Sequence, residues 1–277
     1  PSLIAQACTD IRPAIIIAVP MVVEKIIRKN VFPKVQSTAT RMLLKMPVVS
    51  KKVKERISAI VMEAFGGNAY ELVTGGAALN KEIEDFLVSI NFPVTSGYGA
   101  TECGPKVTYS DYKDFVPGSC GTPVLNMEVK IVSPDPANVP GEVITRGENV
   151  MLGYYKNEEA TKEVLDKDGW YHTGDLGTMS ADGHLFLRGR IKNMLLGSNG
   201  QNVYPEEIED KLNSMSMVSE CIIIQRGDKI VGLVYPDFDE AKEMGFSQSD
   251  LQEIMEQNRL ELNNMLPSFC HLSAIEL

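Results

Sequence analysis

Four segments of this chain combine glycine with a few polar or aromatic side chains. The first, Thr74-Gly75-Gly76-Ala77-Ala78, has no bulky side chain, so a flat ligand could lie against its backbone. The second, Ser96-Gly97-Tyr98-Gly99-Ala100-Thr101-Glu102, sets an aromatic face, a hydroxyl and a carboxylate within one short stretch. Such a set can stack a base, hold a phosphate oxygen and ligate Mg²⁺. The third is Trp170-Tyr171-His172-Thr173-Gly174-Asp175 and the fourth is Gly189-Arg190-Ile191-Lys192. If Asp175 and Arg190 converge, they could grip the two hydroxyls of a ribose. Taken singly each segment has a plain structural reading: a strand-to-helix turn, a capped turn, a solvated surface charge. Order and spacing distinguish them from that background.

Other reactive residue types fit structural roles better. His172 invites a general-base assignment, but the chemistry implied by its neighbours needs no base, so a packed or hydrogen-bonded histidine is expected. Cys103 follows Glu102 without a His or Asn to support a nucleophile and reads as a small core residue. Asp166-Lys167-Asp168-Gly169 imitates a calcium loop, yet Tyr171 stands at the sixth position where that loop needs glycine; a turn before a strand is expected. Gly99 to Lys106 has the glycine spacing of a phosphate-binding loop but lacks the Gly-Lys-Ser/Thr that would follow.

The elements that must position these segments alternate. Ala14 to Val19 is a β-branched run suited to a buried strand, and Met21 to Lys29 continues as helix after Pro20. Val53, Ile57, Ile60, Val61 and Ala64 share one helical face, and Gly66 and Gly67 end that helix. Tyr70 to Thr74 and Phe92 to Ser96 read as strands, with Asn80 capping an intervening helix whose apolar face is Ile83, Phe86, Leu87 and Ile90. This predicts an α/β layer of mostly parallel strands over residues 1–112, with ligand loops at the strand C-terminal ends. Met127 to Val132, Gly141 to Arg146 and Leu185 to Leu187 are short strands among Pro, Gly and Asn turns, with a hairpin signal at Asp182-Gly183, which predicts a β-rich subdomain over 113–188. From Gly189 to Leu277 a small α+β domain is expected: a helix from Pro205 carrying Ile208 and Leu212, strands at Glu220 to Gln225 and Ile230 to Tyr235 joined through Gly227-Asp228, and an amphipathic helix through Leu251, Ile254, Met255 and Leu262. The fold class is thus α/β and α+β, with residues 1–188 as one large domain.

Five motifs in order then carry a resemblance. Tyr98-Gly99-Ala100-Thr101-Glu102, Gly141-Glu142-Val143-Ile144-Thr145-Arg146-Gly147 leading to Gly153-Tyr154, Tyr171-His172-Thr173-Gly174-Asp175, Gly189-Arg190-Ile191-Lys192 and Pro205-Glu206-Glu207-Ile208-Glu209 together resemble the adenylate-forming, AMP-binding superfamily. Ala18-Val19-Pro20 and Glu24-Lys25-Ile26 look most like the corresponding stretch of long- and medium-chain fatty acyl-CoA synthetases of bacteria. The resemblance implies a two-step reaction: a carboxylate attacks the ATP α-phosphorus to give acyl-AMP and pyrophosphate, and a thiol, usually of coenzyme A, then displaces AMP. It implies that Gly75, Gly76, Ala77, Tyr98 and Gly99 wall the adenine and acyl sites, that Thr101 touches the α-phosphate, and that Glu102 binds Mg²⁺. It further implies that Asp175 and Arg190 hold the ribose, Leu187 sits beside the base, Lys192 is the hinge of a mobile small domain, and Ser198 and Gly200 lie by the coenzyme A tunnel. Positive charge and Mg²⁺ are needed because an anionic carboxylate must approach an anionic phosphate.

The same resemblance sets expectations about what the chain lacks. The Ser/Thr/Gly-rich phosphate loop ending in Pro-Lys-Gly has no copy here, and the last lysine is Lys242, short of the adenylation lysine. Without an initiator Met at Pro1, the chain is expected to be the C-terminal portion of a longer enzyme, incomplete in its last domain and inactive alone. The alternatives are an adenylation enzyme that loads a carrier protein and a non-catalytic AMP-binding module. Composition narrows the partners. With 277 residues, 44% of them hydrophobic, the chain can bury a sizeable core. A net charge of −10 with no basic cluster argues against nucleic acid. The longest apolar stretch, Pro13 to Val23, is too short to span a bilayer and is read as core. Five scattered cysteines form neither a disulfide framework nor a zinc site, and a reducing cytoplasm fits them.

Overall fold

The computed structural model describes residues 2–35, 51–197 and 199–277. The chain packs as two compact units: Pro1–Val139 with Val143–Thr173 and Thr178–Phe186, and Pro140–Glu142 with Gly174–Gly177 and Leu187–Leu277.

In the first unit, α1 (Ser2–Ile11) precedes strand β1 (Ile15–Ala18), and α2 (Pro20–Ile26) follows. A π-helical turn at Ile27–Val31 joins α2 to α3 (Phe32–Val35). Then come α4 (Lys51–Ala64), β2 (Glu71–Thr74), α5 (Lys81–Ser89) and β3 (Val94–Ser96). The strands β1, β2 and β3 form a parallel sheet in that order, in register Ile16↔Leu72 and Leu72↔Val94. α5 starts where expected: Asn80 Oδ1 accepts from the amides of Glu82 and Ile83 at 3.1 and 3.4 Å, and Glu82 and Glu84 complement the helix dipole. Its Ile83 and Leu87 are wholly buried in a core with Leu72, Val61 and Phe65, and each such side chain contributes roughly 1.5–3 kcal/mol. Phe86 meets Phe32 edge to face at 5.3 Å.

One expectation fails here. β1 is not a buried strand: it alternates, with Ile16 and Ala18 packed on the core while Ile15 and Ile17 are exposed. Val19 and Met21 are exposed as well, so the apolar stretch from Pro13 to Val23 is core on one face only. The reason is position. β1 pairs only with β2, at an edge of this sheet among the described residues, and a half-covered strand buries alternate side chains.

After β3 the chain forms an antiparallel sheet of β4 (Tyr98–Gly99), β5 (Lys106–Tyr109) and β6 (Thr122–Pro123). Strands β7 (Met127–Val132), β8 (Gly141–Gly147), β9 (Tyr171–Met179) and β10 (Leu185–Arg190) make a four-stranded sheet in the order β10-β9-β8-β7. Helix α6 (Glu158–Val164) lies between β8 and β9 in sequence. The hairpin at Asp182-Gly183 is present, with Gly183 at φ +88°. Tyr98, Cys103, Val107, Val143, Tyr171 and Leu185 belong to a second core cluster of this unit.

In the second unit, short strands β11 (Leu195–Leu196) and β12 (Asn202–Val203) pair antiparallel before α7 (Pro205–Leu212). Strands β13 (Val218–Arg226) and β14 (Lys229–Pro236) form a hairpin whose Arg226↔Lys229 register leaves Gly227-Asp228 as its two-residue turn. Helices α8 (Phe238–Met244) and α9 (Gln248–Met265) follow, and β15 (Leu272–Glu276) returns parallel to β14. α9 opens on a capping box between Ser247 and Asp250. Ile208, Leu212, Leu251, Met255 and Leu262 are buried together, so the two amphipathic patterns meet in one core. The α/β and α+β fold class holds. Among the described residues no helix is long and apolar enough to cross a membrane.

Candidate functional site

The first two glycine segments leave from neighbouring strand ends. Thr74 and Ser96 are register partners at the carboxyl ends of β2 and β3, with hydroxyl oxygens 2.7 Å apart. The Gly97 amide donates to the Thr74 carbonyl at 2.9 Å, and a Cβ on Gly75 would stand 3.3 Å from the Gly97 carbonyl. Two loops therefore run side by side at the end of a parallel sheet, where α/β folds place ligands. Gly76, at φ +84°, and Ala77 are exposed on the first loop. Tyr98 is buried at the start of the second.

Gly99 is dictated by contact. Ala100 donates to the Pro105 carbonyl at 2.9 Å, which brings β5 so close that a Cβ on Gly99 would fall 2.0 Å from that oxygen. The chain then makes one 3₁₀ turn over Thr101–Cys103, closed by Gly104 at φ +62°. This turn exposes Thr101, leaves Glu102 half-buried and buries Cys103 completely. Burial, then the Glu102 charge, pushes the Cys103 thiol up to about 11, so it stays protonated at neutral pH and is no nucleophile.

Glu102 is held from two directions. Its carbonyl accepts from the Met151 amide at 2.7 Å, and its Oε1 accepts from the Tyr154 hydroxyl at 2.9 Å. Tyr154 had only a place in a motif on sequence grounds; no spacing rule links two residues 52 positions apart. Among the described residues no cluster of three or more His, Cys, Asp or Glu could hold a metal. A lone carboxylate nevertheless fits Mg²⁺, which commonly takes one or two protein carboxylates and completes its shell with water and substrate phosphates.

In the second unit Asp175, on β9, and Arg190, at the end of β10, meet: Arg190 Nε lies 3.0 Å from Asp175 Oδ1. The carboxylate is buried and the guanidinium exposed, so the acid is fixed and the base reaches outward. Leu187, on the same strand, is exposed. Lys192 is exposed in the 3₁₀ turn Ile191–Asn193. Just before it, Gly189 sits at φ +140°, where an L side chain would be strained, and a Cβ there would also displace the Glu206 carboxylate. Glu206 Oε1 also accepts from Asn193 Nδ2 at 2.7 Å, and Arg188 pairs with Glu207 at 3.4 Å. Gly200, at φ +80° with open space around it, turns the chain between β11 and β12. Ser198 lies outside the described residues.

The decoys are structural. Asp166 Oδ1 accepts from the amides of Asp168 and Trp170 at 2.8 and 2.9 Å, a turn leading into β9. Those amides hold its carboxyl below the usual range, and His172 Nε2 stands 3.9 Å from its Oδ2.

The sequence model of the family described as AMP-binding enzyme matches residues 1–155. This chain belongs to that family. Among curated AMP-binding relatives, a 4-coumarate–CoA ligase of Glycine max is 41% identical over 176 residues, 59% of this chain and 59% of that protein. A long-chain-fatty-acid–CoA ligase of Gallus gallus is 31% identical over 79% of this chain and 31% of its own length. The chain therefore spans less than two thirds of the relatives it matches. Among solved structures, the adenylation domain of a carboxylate reductase from Mycobacterium chelonae superposes with a TM-score of 0.72 at 25% identity, covering 99% of this chain and 42% of that one. These AMP-binding relatives include a plant ligase named for an aryl acid beside one named for long-chain fatty acids, so the likeness reaches the family and does not single out a bacterial fatty acyl branch.

Proposed function

We propose that the chain supplies nucleotide-handling residues of an ATP-dependent acid–thiol ligase. In the first step a substrate carboxylate oxygen bonds to the ATP α-phosphorus as the α–β phosphoanhydride bond breaks and pyrophosphate leaves. In the second a thiol sulfur, that of coenzyme A, bonds to the acyl carbon as AMP leaves and the thiol proton passes to solvent. The observation that carries the reading is the Asp175–Arg190 pair: two residues from separate motifs, 3.0 Å apart, with donors and acceptors suited to vicinal ribose hydroxyls. Thr101, exposed, serves the α-phosphate. Glu102 receives the Mg²⁺ that offsets phosphate charge. Gly75, Gly76, Ala77, Tyr98 and Gly99 wall the adenine and acyl sites, and Leu187 lies beside the base. Lys192 is the hinge of a small domain starting at Gly189, and Gly200 faces the pantetheine path.

For the acid, the fatty acyl reading draws support from the motifs around Pro20 and from the chicken relative, which aligns over 79% of this chain. The 41% identity to a 4-coumarate–CoA ligase favours an aryl acid as the second reading. Five free cysteines support a reducing, cytoplasmic setting. Calorimetric titration of AMP and ATP into wild type, Asp175→Asn and Arg190→Ala tests the nucleotide site. Binding by wild type that both variants weaken is expected; equal affinity in all three proteins, or none in wild type, refutes the assignment. Thioester formation from palmitate against 4-coumarate, with coenzyme A against a holo-carrier protein, identifies acid and acceptor.

A further inference from the structure

The motif Pro205-Glu206-Glu207-Ile208-Glu209 takes no part in the nucleotide contacts proposed for the other four, yet its two leading glutamates reach back to the segment that bears Arg190. Helix α7 is a firm base for them. Pro205 opens it where no amide donor is needed, and Ile208 and Leu212 anchor it in the core of the second unit. Glu206 and Glu207 stand in its first turn, where the helix dipole favours carboxylates. From there they hold both flanks of Arg190. On one side Arg188 Nη1 donates to Glu207 Oε1 at 3.4 Å, and Glu206 Oε2 lies where a Cβ on Gly189 would come. On the other side Asn193 Nδ2 donates to Glu206 Oε1 at 2.7 Å. Asn193 ends the 3₁₀ turn that Arg190 caps, and the Met194 amide donates to the Arg190 carbonyl at 3.1 Å. One carboxylate thus touches the residue before Arg190 and the end of the turn after it. Its Oε2 is buried with no hydrogen-bond donor among the described residues. A buried carboxylate oxygen in that position is costly, so folding alone gives little reason for an acid there.

We infer that Glu206 is a positioning residue for Arg190: through Asn193 and the close pass at Gly189 it clasps the turn, so that the guanidinium stands beside Asp175 before a nucleotide ribose arrives. The inference rests on the proposed ribose role of the Asp175–Arg190 pair. Its physical basis is preorganisation. Arg190 is mostly exposed, so its own packing does not order it. A ligand that meets an arginine on a fixed turn need not order that turn on binding.

The test is calorimetric titration of AMP and of 2′,3′-dideoxy-AMP into this chain. Glu206→Ala and Asn193→Ala are each expected to weaken AMP about fivefold, within the scale of one lost hydrogen bond to a charged group. Both should leave dideoxy-AMP binding unchanged, because that ligand offers no ribose hydroxyls. The double variant should bind AMP no more weakly than Glu206→Ala, since the two changes remove the same bond, and in the Arg190→Ala background Glu206→Ala should have no further effect. Removing a negative charge by itself favours an anionic ligand, so the expected loss runs against the field. Glu206→Gln keeps an acceptor for Asn193 and is expected to bind AMP at least as tightly as wild type. Asn193 is exposed, so its variant carries the test even if Glu206→Ala does not fold. Weaker AMP binding in Arg190→Ala, with wild-type affinity in Asn193→Ala and Glu206→Ala, overturns the clasp and leaves the ribose pair standing. Equal losses for AMP and dideoxy-AMP in the clasp variants overturn it too, because general loosening does not single out the ribose. Wild-type AMP affinity in Arg190→Ala, or no AMP binding by folded wild type, removes the ribose role and the clasp with it.

Discussion

Arg190 Nε stands 3.0 Å from Asp175 Oδ1, yet the two side chains differ in environment: the arginine is 67% exposed and the aspartate 11%. An ion pair with one arm in water is screened, and its removal is expected to cost folding no more than about 1 kcal/mol. Its value for a ligand is larger, because the pair is assembled before the ligand arrives. Arg190→Ala should therefore lower AMP affinity by roughly tenfold or more while leaving the urea midpoint almost unchanged. A large fall in stability with intact AMP binding would make the pair structural.

Two glycines separate close contact from backbone conformation. A methyl at Gly99 would overlap the Pro105 carbonyl, a backbone atom that cannot rotate aside. Gly99→Ala must displace β5 from β4, which is expected to cost about 2–4 kcal/mol, on the scale of core overpacking. Gly200 has φ +80° but nothing within 4 Å of its Cβ position, so Gly200→Ala should cost only the left-handed penalty of about 1 kcal/mol. Chemical denaturation of both variants measures the difference. Equal losses would show that the contact at Gly99 relaxes.

Those two glycines also mark how far the sequence could be read. Gly99 stood out because it belongs to a motif, yet its reason is the carbonyl of Pro105, six positions on, brought close by strand pairing. Helices with local signals were legible: Asn80 before an i, i+3, i+4 pattern, and Pro205 followed by two acids. α6 carried the same signal, Asn157 before Glu158 and Glu159, and Asn157 Oδ1 accepts from the Ala160 amide at 3.1 Å. Its apolar signal is short: no residue is fully buried, and its only apolar residues, Ala160 and Val164, are half-buried, Val164 packing on the core. The edge character of β1 was hidden for the opposite reason: consecutive isoleucines look alike whether one face or two are covered. Asp175 and Arg190 could be paired from chemistry alone, whereas the Tyr154 hydroxyl on Glu102 needed the fold to bring distant loops together.

Glu71 offers a case that no pattern announced. It is a carboxylate only 4% exposed on β2, receiving the Tyr109 hydroxyl at 2.6 Å and the Tyr112 amide at 2.9 Å. Burial, then the bond to Glu71, raises the Tyr109 phenol far above its ordinary range. Tyr109→Phe keeps the ring and leaves a buried acid short of a donor, which is expected to cost about 1.5–3 kcal/mol. Pairing it with Glu71→Gln should recover part of that loss, since the carboxamide carries no charge to stabilise. A double variant no more stable than Tyr109→Phe would refute this account.

Two thiols, one buried and one half-buried, predict the alkaline limit of the fold. Burial, then a nearby glutamate, raises Cys103 from 9.0 to about 11 and Cys221 from 9.0 to about 12. A thiol is neutral when protonated, so above pH 9 the unfolded chain releases protons that the folded chain retains. The stabilisation is complete below pH 9 and is lost as pH rises toward 11 and 12, because the unfolded state then binds fewer protons than the native state. Urea midpoints at pH 8, 9.5 and 10.5 should fall less steeply in Cys103→Ala than in wild type, although the variant starts lower from the lost packing. Alkylation gives an independent reading: at pH 8 iodoacetamide should spare Cys103 in the native chain and modify it in urea. Parallel pH slopes in the two proteins, or ready native modification of Cys103, would mean that its thiol titrates as if in water.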